Sequence, residues 1–554
     1  MMKSFCLALF ITIFFCSCGK DKNKLSPQPP PPASFSFNTL KVNGRFNGFT
    51  YYGISTSSVF TFSFSAPLNR SSASNSVVLK DRSGTNVAYS TVYANGDSNM
   101  VIQPSTPLHY LNGYELTVTG ALTSAAGSKL LSPVTVSFTT PIDSTDKFPR
   151  ITGEALLDTV QRRTFRYFWD FAHPVSGLSR ERSNGDNTIV TTGGSGFGVM
   201  ALIAGVNRGF ITRAEGLGRM QTVVEFLKNT AQIFHGAFPH WIDGTTGKAI
   251  PFSAKDDGAD IVETAFLVQG LLAARQYFNG ADNAEKTIRD DINAIWNRVE
   301  WSWFRKNSEE VLYWHWSNQY NWEMNMQVKG WNECLVTYVL AASSTTYPIE
   351  KAVYDNGWAS NGAMANNKLW YGYRLPLGPD MGGPLFFSHY SFLGINPKGL
   401  LDAYANYETQ TRNHALINYS YCKANPRNYF GYSEDVWGLT ASDIPNGYSA
   451  SSPANDLGVI APTAAIASIP YTPAESVKAL EFFYYTLGDK LWKDYGFVDA
   501  FSLQDLWFAD SFLAIDQGPI IIMIENYRSG LLWNLFMSCP EIKTGMQKLG
   551  FNGQ

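Results

Sequence analysis

Three groups of carboxylates stand out for their spacing and their neighbours. The first lies in Pro251–Phe266, which reads Pro-Phe-Ser-Ala-Lys-Asp-Asp-Gly-Ala-Asp-Ile-Val-Glu-Thr-Ala-Phe. Asp256, Asp260 and Glu263 fall at i, i+4 and i+7, so a helical run sets all three on one face. Like charges at that spacing weaken a helix by about 0.2–0.5 kcal/mol per pair. A helix N-terminus, which favours anions, or a site that works with acids would account for them. The second group is Lys329-Gly330-Trp331-Asn332-Glu333-Cys334-Leu335. Asn332 can cap a helix, leaving Glu333 in its first turn between Trp331 and an apolar run. Desolvation against that indole would raise the Glu333 pKa, the condition for a general acid near neutrality. The third is Ala514-Ile515-Asp516-Gln517-Gly518-Pro519-Ile520. Proline suits a first helical turn, which sets Asp516 among free backbone N–H groups that lower its pKa, as a general base requires. Glu525 follows in the same apolar helix, with Asn526 and Arg528 as expected partners.

Other chemistries find little support. The chain has no His-Glu-x-x-His, no Cys-x-x-Cys, no phosphate loop and no Gly-x-Ser-x-Gly elbow. The seven histidines are dispersed, and His235 and His240, five apart, match no helical metal spacing. Gly193-Gly194-Ser195-Gly196 reads as a tight turn that lets helices approach closely. Two carboxyl groups with pKa values pushed apart inside an aromatic cleft are the working parts of glycoside hydrolysis. Aromatic faces would bind the C–H faces of sugar rings, and Trp314, Trp316, Trp331, Tyr390, Trp437 and Trp507 are candidates, together with His240, Trp241 and the carboxylate of Glu525. Trp303, Trp322 and Tyr432 belong to the same aromatic population.

The elements that must position these residues fall into two grammars. The chain has 554 residues and a formal net charge of −3; charged residues are 16% and aromatics 14%. That balance argues against a nucleic-acid binder and suits a neutral, polar, flat-faced partner such as a sugar. Lys3 and the apolar run Phe5–Phe15 read as a signal peptide over 1–17. Phe15-Cys16-Ser17-Cys18-Gly19 resembles a lipobox, with cleavage before Cys18 and lipidation of its thiol. The expected location is therefore a lipid anchor in the cell envelope, in periplasm or outer membrane, and this anchor is the sole expected membrane contact. Residues 18–34 form a proline-rich spacer. Over 35–142 the apolar period is two, as in Phe60-Thr61-Phe62-Ser63-Phe64 and Val134–Phe138, which predicts a small antiparallel sandwich. From 150 to 554 the period becomes helical. Thr212 and Glu215 form a capping box. Helices are expected over Val262–Tyr277, Ala284–Val299, Glu333–Ala342, Glu475–Leu487 and Pro519–Met537. About 400 residues in hairpins of roughly 60–70 give about six hairpins, enough to close a ring of paired helices. Cys334, Cys422 and Cys539 form no disulfide framework and read as buried apolar residues.

Two resemblances sharpen this. Phe62-Ser63-Phe64-Ser65-Ala66-Pro67-Leu68 and Val136-Ser137-Phe138-Thr139-Thr140 resemble bacterial immunoglobulin-like domains. Phe165-Arg166-Tyr167-Phe168-Trp169-Asp170, Phe238-Pro239-His240-Trp241, Asp256 to Glu263, Trp331-Asn332-Glu333 and Ile515-Asp516-Gln517-Gly518-Pro519 resemble the glucoamylase-like bacterial hydrolases of glycoside hydrolase family 144. That resemblance implies a mainly α chain with an (α/α)6 toroid, no metal or other cofactor, and hydrolysis of β-1,2-linked glucan with inversion. It implies essential acids at Asp256, Asp260, Glu263 and Glu333; Asp516 as base comes from the residues alone. A monomer acting on a polysaccharide or oligosaccharide is the expected unit. A toroid enzyme for another linkage, a polysaccharide lyase, and a non-catalytic glycan-binding lipoprotein remain as alternatives.

Overall fold

Alternating side chains build the N-terminal unit and helical stripes build the rest. The structure, a computed structural model, describes residues 34–552; the expected signal peptide, Cys18 and nearly all of the spacer lie outside the described residues. Two compact units are present, the first ending at Thr139 and the second running on from Thr140 and including Tyr110–Asn112.

The first unit has strands β1 (Phe37–Val42), β2 (Thr50–Tyr51), β3 (Phe60–Phe64), β4 (Val77–Asp81), β5 (Tyr89–Ala94), β6 (Asn99–Pro104), β7 (Gly113–Val118) and β8 (Val134–Thr139). They form two four-stranded sheets, ordered β1-β3-β6-β5 and β2-β8-β7-β4. Phe62 lies opposite Leu40 and Met100, and Leu116 opposite Leu79 and Val136. All six side chains are buried. The period-two pattern thus becomes the inner faces of a sandwich.

In the second unit, helices differ by position. Thr192–Asn207, Ile261–Tyr277, Leu335–Ser343, Pro462–Ala467 and Ala514–Ser529 are buried on nearly every side. Flanking helices are amphipathic: Asn283–Asn297 turns Ile288, Ile292, Ile295 and Trp296 inward. The five buried helices follow one another around a ring: Thr192–Asn207 touches Ile261–Tyr277, which touches Leu335–Ser343, and Ala514–Ser529 contacts both Pro462–Ala467 and Thr192–Asn207. Between Leu335–Ser343 and Pro462–Ala467 the sixth inner element is a pair of 3-10 turns, Leu385–Ser388 and Ser391–Leu393. Ser391 Oγ accepts the Val336 N–H at 2.9 Å, and His389 Nε2 meets Ser468 Oγ at 3.0 Å, so this segment joins its two neighbours. No helix among the described residues is long and apolar enough to cross a membrane.

Several boundaries differ from expectation. The Gly193–Gly196 run is helical, the first turns of Thr192–Asn207. A Cβ on Gly196 would run into the Phe266 carbonyl, and one on Gly270 into the Gly196 carbonyl. These two inner helices therefore meet backbone to backbone, since small residues at a crossing shorten the interaxial distance. Pro519–Met537 is two helices, Ala514–Ser529 and Leu531–Ser538, broken by Gly530 in the left-handed region at φ 70. Pro519 sits inside the first of them rather than at its start. The Thr212–Glu215 capping box is present, and Cys334, Cys422 and Cys539 are buried free thiols.

Candidate active site

The first carboxyl group is organised by a strand-to-helix bend. Ala259–Asp260 pairs with His315–Trp316, setting Asp260 opposite His315. The chain then turns into Ile261–Tyr277 with Asp260 as N-cap. Asp260 Oδ1 accepts the N–H groups of Val262 at 3.0 Å and Glu263 at 2.9 Å. Its Oδ2 accepts Trp314 Nε1–H at 3.2 Å and lies 3.1 Å from His240 Nδ1. The expected single acidic helix face is thus corrected: Glu263 alone is in the helix, because Asp260 uses its oxygens to start it. Burial opposes the Asp260 charge, but His240, His315 and the Glu263 N–H hold it below the usual carboxylate range. Asp256 takes the opposite course, pushed up to about 7 by burial and then by the Asp260 charge. One of its oxygens lies 3.5 Å from His315 Nε2 and 3.8 Å from His240 Nδ1, and the other is buried without a partner. Glu263 accepts the Gly193 N–H at 2.7 Å across the close helix crossing, and burial followed by the Asp260 charge raises its pKa. Although burial opposes its charge, His240 is pushed up to about 9 by Glu263, Asp260 and Asp256.

Glu333 occupies a turn just before Leu335–Ser343. Asn332 Oδ1 accepts the Cys334 N–H at 3.0 Å, and the Glu333 carbonyl accepts Ser391 Oγ–H from the sixth inner element. Burial pushes the Glu333 carboxyl up to about 7, and the charges of Glu263 and Asp260 add to this. The sequence expectation for its acidity holds in direction, but the wall differs. Trp331 packs away from the cleft beside Trp358, Phe392 and Tyr407, with its ring under Gly378, so it is a core residue and not a sugar platform.

A second carboxyl cluster, at the start of the inner helix on the other side of Thr192–Asn207, joins Asp516 to two residues that sequence reasoning missed. Asp499 and Asp516 adjoin closely enough to act on each other's ionisation, and Asp499 Oδ1 and Asp516 Oδ2 are buried without a hydrogen-bond partner among the described residues. Asp499 Oδ2 accepts the Asp443 N–H at 2.7 Å. Asp443 meets Arg182 Nη2 at 2.6 Å and accepts Ser511 Oγ–H at 2.5 Å. Burial and then the Asp499 charge push Asp516 well above the usual range. Asp499 rises to about 7 through burial and the charge of Asp443. The expected low pKa of Asp516 is therefore corrected: two adjoining buried carboxyls cannot both ionise, and this outweighs the helix N-terminus. Tyr390 connects the groups. Its ring packs among Phe197, Phe266 and Phe386, while its hydroxyl lies in the field of Asp516, Glu333 and Glu263.

The aromatic candidates divide. Trp314 and His240 touch Asp260, and Trp241 stands edge-on to His240. Phe252, not singled out from the sequence, stacks on His240 at 4.0 Å and 22° and is 49% exposed. Trp316 sits half-buried in a nest with His235, Trp303 and Phe234. Trp437 is fully buried, its Nε1–H donating to the Glu475 carbonyl, which corrects its placement in the cleft. Trp507 packs half-buried against the core on a strand paired with Phe501–Ser502. Glu525 is also corrected. It is fully buried and bound by Arg208 at 2.6 and 3.0 Å, by Gln161 at 3.1 Å and by Ser529 at 2.6 Å, a structural ion pair two turns beyond Asp516. Its ligand atoms are saturated by protein. His240, Asp256 and Asp260 place ligand atoms within 4.8 Å of one another, a donor set that could hold a cation. A protonated His240 meets the same charges without one.

Comparison with known proteins places this arrangement. The family described as "Putative glucoamylase" matches residues 325–540, and the bacterial Ig-like domain family matches residues 50–140. The endo-β-1,2-glucanase of Chitinophaga pinensis, solved with sophorotriose and glucose, is 50% identical with a TM-score of 0.71, over 73% of this chain and 99% of that one. A β-1,2-glucanase from Parabacteroides distasonis is 40% identical with a TM-score of 0.71, over 94% of this chain and 74% of that one. The exo β-1,2-glucooligosaccharide sophorohydrolase (non-reducing end) of Parabacteroides distasonis is 48% identical over 420 residues, 72% of this chain. The chain spans 58% of that curated relative's length. The ring of inner helices is the (α/α)6 toroid of these relatives, carried behind a bacterial Ig-like sandwich. With half of the aligned residues identical over nearly the whole of a solved relative, the chain belongs to the glucoamylase-like bacterial hydrolases of glycoside hydrolase family 144.

Proposed function

We propose that this protein hydrolyses β-1,2-linked glucan or its oligosaccharides by acid–base catalysis between two carboxyl sites. The observation that carries the reading is Glu333, a carboxyl buried at the head of an inner helix and pushed up to about 7 by that burial, with Glu263 and the ionised Asp260 adding to it. Protonated Glu333 gives its proton to the glycosidic oxygen as the C–O bond breaks. Water attacks the anomeric carbon from the opposite face and loses its proton to the Asp499–Asp516 pair, which holds one proton and one negative charge between two carboxyls. Asp260 keeps the imidazolium of His240 in place. Asp256 and Glu263, with Trp314 and Trp241 beside them, bind sugar hydroxyls and the flat faces of the rings. Displacement by water in one step inverts the anomeric centre. The protein works as a monomer, lipid-anchored through Cys18 in the cell envelope, where a glucan substrate arrives from outside the cytoplasm. The similarity to enzymes named for β-1,2-glucan supports the linkage. Digestion of β-1,2-glucan followed by product length and anomer tests the whole reading. Short β-1,2-glucooligosaccharides released first as the α anomer are expected. Unsaturated products absorbing in the ultraviolet, or binding without any product, would contradict it.

A further inference from the structure

One exposed aromatic residue faces the second carboxyl group without a partner. Strands Ala441–Ile444 and Gly447–Ala450 form a hairpin turned by Pro445 and Asn446, and their register sets Tyr448 directly opposite Asp443. Opposed residues of an antiparallel pair project from the same face. The face of Asp443 is fixed by Arg182, Ser511 and its N–H bond to Asp499. Tyr448 therefore projects toward Asp443, Asp499 and Asp516, and its hydroxyl lies in the field of all three and of Glu181. Glu181 lies in the field of His240 as well. Yet Tyr448 is 51% exposed, and no hydrogen bond or ring contact ties down its side chain among the described residues. A core role would bury the ring, and a solubility role would not aim its hydroxyl at three carboxyls. A rigid two-stranded support below and an open face above suit a sugar ring, whose apolar C–H face stacks on an aromatic while its hydroxyls need partners.

We propose that Tyr448 is a specificity-determining residue of the glucan site, its ring carrying one glucosyl unit and its hydroxyl holding a sugar hydroxyl beside the Asp499–Asp516 pair. This rests on the glucan-hydrolase reading. The hairpin is anchored to the carboxyl pair itself through Asp443, so the platform sits at a fixed offset from the bond that is cut. That offset sets which unit of the chain the site registers, and hence product length.

The test compares the full-length protein with Tyr448→Phe and Tyr448→Ala on β-1,2-glucan, reading KM, kcat and product lengths. Tyr448→Ala is expected to raise KM about tenfold, the scale of one lost aromatic contact, with kcat within about threefold and a broader product distribution. Tyr448→Phe keeps the ring and is expected to restore most of KM and the narrow distribution. Unchanged KM and products in Tyr448→Ala would overturn the proposal. So would equal losses of kcat in both variants with KM unchanged, which would make the residue structural. A wild-type protein that leaves the glucan intact would fail the hydrolase reading and take this inference with it; a cleaving wild type with an unaffected alanine variant fails this inference alone.

Discussion

Asp256, Asp260 and Glu263 at the start of one inner helix, and Asp443, Asp499 and Asp516 around the start of another, are built from the same chemistry and solve charge crowding differently. The first group imports compensation. The Asp260 carboxylate takes two backbone N–H groups, an indole N–H and His240. Glu263 takes the N–H of Gly193 at the start of a neighbouring helix. The second group has one cation, Arg182, which serves Asp443, and leaves Asp499 and Asp516 to share a proton. A hydrogen-bonded, charge-paired carboxylate such as Asp260 holds a fixed position and resists protonation, while its charge raises Asp256 and Glu263 beside it. A proton-sharing pair keeps an acceptor oxygen available for a proton near neutral pH. On the proposed mechanism this difference gives binding and geometry to the first group and proton uptake to the second, and Glu333 lies in the field of the first.

Substitutions separate these roles most sharply. Asp516→Asn is expected to lower kcat by about 10²–10⁴-fold while leaving the melting temperature unchanged or higher, because a carboxyl held off its charge is not a stabilising ion. Asp260→Asn is expected to destabilise the fold by about 3 kcal/mol, since it strands a buried imidazolium. Melting curves and single-turnover rates check both, and shifts of equal sign in the two melting curves would break the comparison. The next effect is on pH dependence. With His240 raised to about 9, its contribution to stability is full below about pH 6.5 and is lost as pH rises through about 9. With Glu333 raised to about 7 from 4.5, wild-type stability falls as pH rises between those values, because the folded state resists ionising it. Glu333→Gln is therefore expected to be more stable than wild type at pH 8, by about 3 kcal/mol at most, and equal to it below pH 4.5. Urea titrations at the two pH values measure this; a variant less stable at pH 8 would remove the desolvated acid from the account. The smallest expected effect is at Phe252, which stacks on His240 at the exposed edge of the first group. Phe252→Ala is expected to raise KM about threefold with kcat nearly unchanged, and loss of kcat instead would show that the ring serves His240 rather than sugar.

What was legible in the sequence follows how local each cause is. Period-two runs such as Phe60–Phe64 and the Thr212–Glu215 capping box depend on neighbours within a few residues, and both appear as expected. The sixth inner element escaped because Leu385–Ser388 and Ser391–Leu393 are 3-10 turns with no 3.6-residue stripe. Glu333 and Asp260 were visible because a cap and an apolar run flank each of them. The state of Asp516 was not, since Asp499 reaches it from a separate strand-and-turn segment with no spacing signal. Glu525 looked like a site residue because Arg208, its partner, lies 317 positions earlier in the chain. Trp331 and Trp437 show the general difficulty: nothing in sequence separates a core indole from a sugar platform, and only the packing around Trp358 and the Glu475 carbonyl does so.

On the proposed mechanism Glu333 protonates the departing oxygen. The most direct test of that step measures wild type and Glu333→Gln on β-1,2-glucooligosaccharide and on a dinitrophenyl glycoside of the same sugar, whose leaving group needs no proton. A loss of about 10²–10⁴-fold is expected on the oligosaccharide and a loss of less than about tenfold on the activated glycoside, with the alkaline fall in wild-type rate near pH 7 absent from the variant. Equal losses on both substrates, or near-wild-type turnover of the oligosaccharide by the folded variant, would contradict it.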